Sequence, residues 1–228
     1  MAQYHASRGD MPDWKKLIEG KIAIAQKAKL LGKKIGKASD NERIPNGQKQ
    51  VTNFPVLDLG IRPNVNTTNW TLRVYGLVEH ELNLKWMDFR SLPQIKDTSD
   101  FHCVTRWSQL DMDWEGVSAR ELLMQANPLP NAKYVTLHSY DGYTTNLPLD
   151  ALLDDDVVIA HSVFGHSLTA EHGGPVRMVV PKRYAWKSAK WLKSIELHEF
   201  DRPGFWEVRG YHNDAFPFLE QRFSDDDY

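Results

Sequence analysis

The sequence predicts an α+β fold of mixed strands and short helices, and three local patterns carry that prediction. Trp70, Leu72 and Val74 alternate with Thr71 and Arg73 and end at Gly76, as in a half-buried strand. Ser118 and Glu121 stand at capping-box separation ahead of Leu122-Leu123-Met124, where each side chain can satisfy a backbone donor at a helix start. Asp141-Gly142 lies between two apolar runs, 134 to 139 and 143 to 147, a hairpin signal because both residues tolerate the positive φ of a tight turn. Strands and short helices interspersed without regular alternation argue for α+β.

Taken in order, residues 14 to 37 place Trp14, Leu17, Ile18, Ile22, Ala25, Ala28, Leu31 and Ile35 at helical spacing with lysines between them, which predicts an amphipathic basic helix. Ile44-Pro45-Asn46-Gly47 interrupts it, so residues 1–44 are expected as an accessory extension and 45–228 as one domain. The strand ending at Gly76 follows, then the helix opened by Ser118, the hairpin at Asp141-Gly142, and two strands at Val176 to Val180 and Trp191 to Leu197. A chain of 228 residues is within the size of one large domain.

The composition is that of a soluble globular protein, 41% hydrophobic and 25% charged, and a net charge of −2 gives no support for nucleic-acid binding. The first forty residues hold nine Lys/Arg against four Asp/Glu, and the rest nineteen against twenty-six. That basic segment could dock weakly on a membrane surface or an acidic partner, although packing against its own domain is the commoner use of such a helix. A single cysteine, and an N-terminus without an apolar signal core or a twin-arginine pair, give the expectation of a cytoplasmic protein.

That cysteine, Cys103, occupies Phe101-His102-Cys103-Val104-Thr105-Arg106-Trp107-Ser108. On context alone it reads as a small buried hydrophobe. A nucleophile would need a base, and His102 should point to the opposite face of an extended segment. Zinc lacks its ligand spacings, since His161, His166 and His172 form no known pattern. Downstream lie His172-Gly173-Gly174-Pro175-Val176-Arg177 and Lys187-Ser188-Ala189-Lys190-Trp191, two groups of anion-binding donors.

These three segments together resemble the sulfite oxidase family of molybdopterin enzymes, which includes the molybdopterin-dependent methionine sulfoxide reductases, over the chain from about Val51 onward. The resemblance implies a sulfite-oxidase-type fold, a molybdenum-molybdopterin cofactor, and Cys103 as the protein's thiolate to the metal. It implies that His172, Arg177, Ser188, Ala189 and Lys190 hold the pterin phosphate end, with Lys187 adding charge, and that Ser139 and Asn53-Phe54-Pro55 line the cofactor. Arg106 is expected beside Cys103 as a catalytic cation for a small oxyanion substrate. The family's later arginine pair is replaced by Trp107-Ser108, which puts sulfite itself in doubt.

The implied activity is two-electron oxygen-atom transfer to or from a small sulfur or nitrogen oxide, in either direction. Without a C-x-x-C-H haem signature or a cysteine set for an iron-sulfur cluster, electrons are expected to pass through a separate donor or acceptor. A non-catalytic molybdopterin carrier and an interaction module built on the basic helix are the alternatives. A monomer or weak oligomer is expected.

Overall fold

A computed structural model describes residues 14–34 and 41–226, so residues 35 to 37 of the expected helix lie outside the described residues. Helix α1 (Trp14–Lys34) is followed by β1 (Lys49–Gln50), β2 (Thr71–Gly76), β3 (Leu82–Lys85), α2 (Trp86–Ser91), β4 (Gln94–Cys103) and β5 (Trp107–Ser118). Next come α3 (Ala119–Ala126), β6 (Tyr134–Ser139), β7 (Thr144–Pro148), β8 (Val158–Val163), β9 (His166–Ser167), β10 (Arg177–Val179) and β11 (Leu192–His198). One sheet has the order β1-β5-β8-β10, with β4 also on β5 and β9 on β8; the other has the order β3-β2-β11-β6-β7. The pairs β1/β5 and β2/β11 are parallel within otherwise antiparallel sheets, the mixed α+β arrangement expected.

Each predictive pattern forms, two of them differently from their rationale: at α3 only the Ser118 half of the capping box is made, and the hairpin turn is held otherwise than expected. Trp70, just before β2, and Leu72 and Val74 within it are buried while Arg73 is exposed; truncating a side chain as buried as Leu72 to Ala costs about 2–5 kcal/mol. Ser118 Oγ accepts from Glu121 N at 3.3 Å, and α3 ends where Asn127 turns left-handed at φ 50°. Strands β6 and β7 pair as a hairpin, but only Gly142 has positive φ, at 86°. Asp141 instead accepts from Tyr143 N through Oδ1 at 3.0 Å, which holds the turn by a side-chain acceptor. The last strand starts at Leu192 because Trp191 is itself left-handed, φ 48°.

Two apolar cores result. Trp70, Leu72, Leu122, Leu137 and Ile195 belong to one, between α3 and the second sheet. Phe101, Cys103, Trp107, Trp114, Tyr184 and Trp206 belong to the other. Helix α1 joins this second core through Ile18, Ile22 and the fully buried Ala25, because burial of that stripe stabilises a helix too basic to persist alone. The expected accessory arm is therefore packed onto the body of the protein. Among the described residues no helix is long and apolar enough to cross a membrane.

Candidate cofactor cavity

The second core surrounds a cavity of about 220 Å³, walled by the β4–β5 turn, the loop after β1, the β6–β7 hairpin, the segments around His172 and Ser188, and α1. Cys103 ends β4 directly opposite Trp107 on β5, which places both side chains on one face of the sheet. Between them Arg106 N donates to Cys103 O at 3.0 Å, with Arg106 left-handed at φ 78°; this is a three-residue hairpin loop without the usual glycine. The turn directs Arg106 away: its Nε donates to Gly47 O at 3.0 Å, and the residue is absent from the cavity wall. The structure thus does not bring Arg106 to the cavity, where a catalytic cation was expected.

Cys103 Sγ lies 3.1 Å from Thr105 Oγ1. Burial pushes the thiol pKa up, while the Thr105 hydrogen bond and the Arg222 and Lys21 charges act in the opposite sense. A metal cation at sulfur would reverse the burial effect and hold a thiolate. His102 points elsewhere, as expected. Its Nδ1 pairs with Ser108 Oγ at 2.8 Å, and burial lowers its pKa to about 4.

A second group on the wall is built for an anion. Arg177 is 4% exposed and donates only to backbone carbonyls, principally His172 O and Ser188 O, both at 3.0 Å. No carboxylate pairs with it among the described residues, and burial pushes its pKa down to about 9. Phe54, Phe101 and Trp114 present ring faces to the guanidinium at 5.2–5.8 Å, which offsets part of the desolvation. Phe54 also packs on His172, ring centroids 4.2 Å apart. Lys190 Nζ donates to Glu171 O at 3.0 Å; burial, then the Arg177 charge, lower its pKa to about 7.

The glycines before Arg177 have a packing reason. Gly173 is left-handed at φ 97°, and a Cβ there would sit 2.7 Å from Lys190 Cβ. Trp191 N donates to Gly173 O at 3.0 Å, so two segments distant in sequence form one backbone unit.

Of the expected cofactor residues, Phe54, Pro55, Cys103, Ser139, His172, Arg177, Ser188 and Lys190 line the cavity together. Asn53 and Ala189 do not. Asn53 is exposed, and Ala189 is buried behind the wall, its carbonyl accepting from Met178 N at 2.8 Å. Lys187 faces the interior, where Nζ meets Glu207 Oε1 at 2.7 Å and Asn146 O at 2.8 Å. Ser188 Oγ accepts from Val180 N at 2.9 Å, which orients the side chain and leaves its hydroxyl proton to donate. The cavity also includes Lys21, Trp107, Trp186, Trp206 and Tyr211, which no spacing in the sequence assigned. A faint signal existed for Lys21, a lysine at helical spacing from Ile18 and Ala25 on the apolar stripe.

The wall fits a phosphate-bearing, metal-carrying group on its own chemistry. Ser139 Oγ and Trp107 Nε1 are buried polar atoms without a hydrogen-bond partner among the described residues, a costly condition unless something fills the cavity. An uncompensated buried arginine suits an anion. Among the described residues no group of three or more His, Cys, Asp or Glu is arranged to hold a metal ion, which leaves Cys103 as a single soft ligand for a metal brought with its own donors.

The sequence profile of the oxidoreductase molybdopterin-binding domain family matches residues 59–206. The oxidoreductase YuiH of Bacillus subtilis is 43% identical over 192 residues, covering 84% of this chain and 97% of the relative. The protein-methionine-sulfoxide reductase catalytic subunit MsrP of Campylobacter jejuni is 27% identical over 166 residues, 65% of this chain and 56% of that subunit, so the chain spans about half its length. The sulfane dehydrogenase SoxCD of Paracoccus pantotrophus shares the fold with a TM-score of 0.56 at 23% identity, over 61% of this chain and 40% of that one. By the profile match across most of its length and a near full-length relative, the chain belongs to the oxidoreductase molybdopterin-binding domain family.

Proposed function

We propose that this protein is a molybdenum-molybdopterin oxidoreductase performing two-electron oxygen-atom transfer on a small sulfur or nitrogen oxide or oxyanion. The observation that carries the reading is one cavity that holds both a free buried thiol, Cys103, and a buried arginine without a carboxylate partner, Arg177. When bound, the cofactor supplies two-electron redox chemistry and oxygen-atom exchange. The chain's own contributions are specific. Cys103 gives the metal a thiolate; Arg177, Lys190 and His172 hold the phosphate end, with Ser188 O fixing the arginine's fork; Ser139 and Trp107 supply polar atoms that otherwise stay unpaired. Phe54, Trp186 and Trp206 exclude water, which strengthens every charge interaction in the cavity.

Electrons pass to or from a separate partner, because the chain carries neither haem nor iron-sulfur ligand sets. A reducing, cytoplasmic setting is part of the proposal and rests on the single cysteine. Lys15 and Lys27 on the exposed side of α1 suit weak docking to an acidic partner. Metal and pterin analysis of protein made with molybdenum supplied, followed by dithionite reduction, is the test. Absence of molybdenum sinks the reading, and molybdenum that does not respond to reductant favours a carrier.

A further inference from the structure

With Arg106 turned outward, one cation of the cavity wall comes from an unexpected element. Lys21 projects from α1 into the wall, followed by Ile24 one turn later. Its Nζ donates to Asp58 O, leaving further ammonium protons free of any partner among the described residues. The Asp58 carboxylate is occupied elsewhere, accepting from Gly60 N at 2.9 Å and Arg62 Nε at 3.4 Å. Lys21 and Cys103 line the same cavity, whereas Arg177 and Lys190 are tied to the carbonyls of His172, Ser188 and Glu171, and Lys190 Nζ also lies 3.9 Å from Asp58 Oδ2. Burial lowers the Lys21 pKa, with the Asp58 charge acting in the opposite sense. At the rim, Ile24, Val56 and Leu57 are 55%, 39% and 41% exposed, an apolar edge beside that charge.

We propose that Lys21 is a substrate-binding residue, which grips the negatively charged or polarised oxygen of the substrate beside Cys103 and makes α1 part of the active site. The proposal rests on the molybdenum reading of the cavity. An ammonium is a compact group that donates to oxygens in several directions, so it suits a tetrahedral sulfur oxyanion or an S-oxide equally. The apolar rim indicates a substrate whose oxygen-bearing head is attached to an apolar body.

The test uses the full-length, molybdenum-loaded protein and 1-butanesulfonate as a redox-inert probe, read by the emission of Trp107, Trp186 and Trp206 on the wall. Lys21→Met should weaken binding about tenfold or more, the effect of losing a charge-assisted hydrogen bond, with molybdenum content, pterin content and melting temperature unchanged. Lys21→Arg should restore binding to within about threefold of wild type, because the charge returns with a different shape. Equal affinity in the Met variant would overturn the proposal, as would failure of the loaded wild type to bind the probe. Loss of molybdenum or pterin from the Met variant would also overturn it and assign Lys21 to the cofactor. Wild-type protein without molybdenum would fail the reading of the cavity itself, a result visible before any variant is made.

Discussion

Replacing Arg177 by Met removes a buried cation while keeping the side chain's length, and the structure separates the two resulting effects. Two carbonyls, His172 O and Ser188 O, lose their donor, which costs about 1–3 kcal/mol each in a water-excluded wall. Opposing this, the cofactor-free protein no longer buries a guanidinium without an anionic partner. The cofactor-loaded protein has no such relief, since the anion is left without its charge. Cofactor affinity should fall by about 1.5–3 kcal/mol, roughly ten- to a hundredfold. The assay is pterin and molybdenum per chain, together with the difference in melting temperature between loaded and cofactor-free protein. That difference should shrink in Arg177→Met and be partly kept in Arg177→Lys, which preserves charge without the two-pronged fork. Full occupancy with an unchanged melting difference would refute the assignment of Arg177 to an anion.

Cys103→Ser should retain fold and pterin yet lose turnover with an artificial dye, because an alcohol is a harder and far less acidic ligand than a thiolate; near-normal turnover would remove Cys103 from the mechanism. Lys190 has a folded pKa of about 7 against 10.5 when exposed, so between those values the unfolded chain binds more protons. The melting temperature of cofactor-free protein should therefore rise from pH 7 toward 10, with that contribution flat below pH 7, and Lys190→Met should flatten the rise. Arg106→Ala should cost about 1 kcal/mol of stability through the lost Gly47 contact, with turnover unchanged; a large loss of turnover would return Arg106 to the active site. Deleting residues 1 to 37 should lower cofactor content and red-shift tryptophan emission, because Lys21 and Ile24 line the cavity and Ile18, Ile22 and Ala25 pack into the core around it; full molybdenum occupancy would restore the accessory reading of this segment.

Eight of the ten expected cofactor residues reach the cavity wall, and they were legible because their segments are contiguous. The residues around Cys103 and the His172–Arg177 run each carry donor chemistry within a few positions. Lys187 and Lys190 could not be told apart by composition, since the turn between them sends one toward Glu207 and the other to the cavity. The direction of Arg106 was not legible, because it depends on a left-handed backbone that no glycine announced. Helical periodicity found α1 but could not say what its apolar stripe covers. Trp186, Trp206 and Tyr211 reach the cavity by tertiary packing alone, for which one sequence offers no spacing rule.

The cavity is surrounded by the second hydrophobic core, and Phe101, Cys103, Trp107, Trp186, Trp206 and Tyr211 belong to both. An occupant of that space is therefore also a packing element, and by linkage its binding adds to the free energy of unfolding: about 2.7 kcal/mol when it is present at a hundred times its dissociation constant. A shift of that size changes the unfolded fraction about a hundredfold, and cellular proteases act on that fraction. Molybdenum supply would thus be read out in how long the polypeptide survives, and a cell short of the metal would hold fewer copies of the protein as well as fewer active ones.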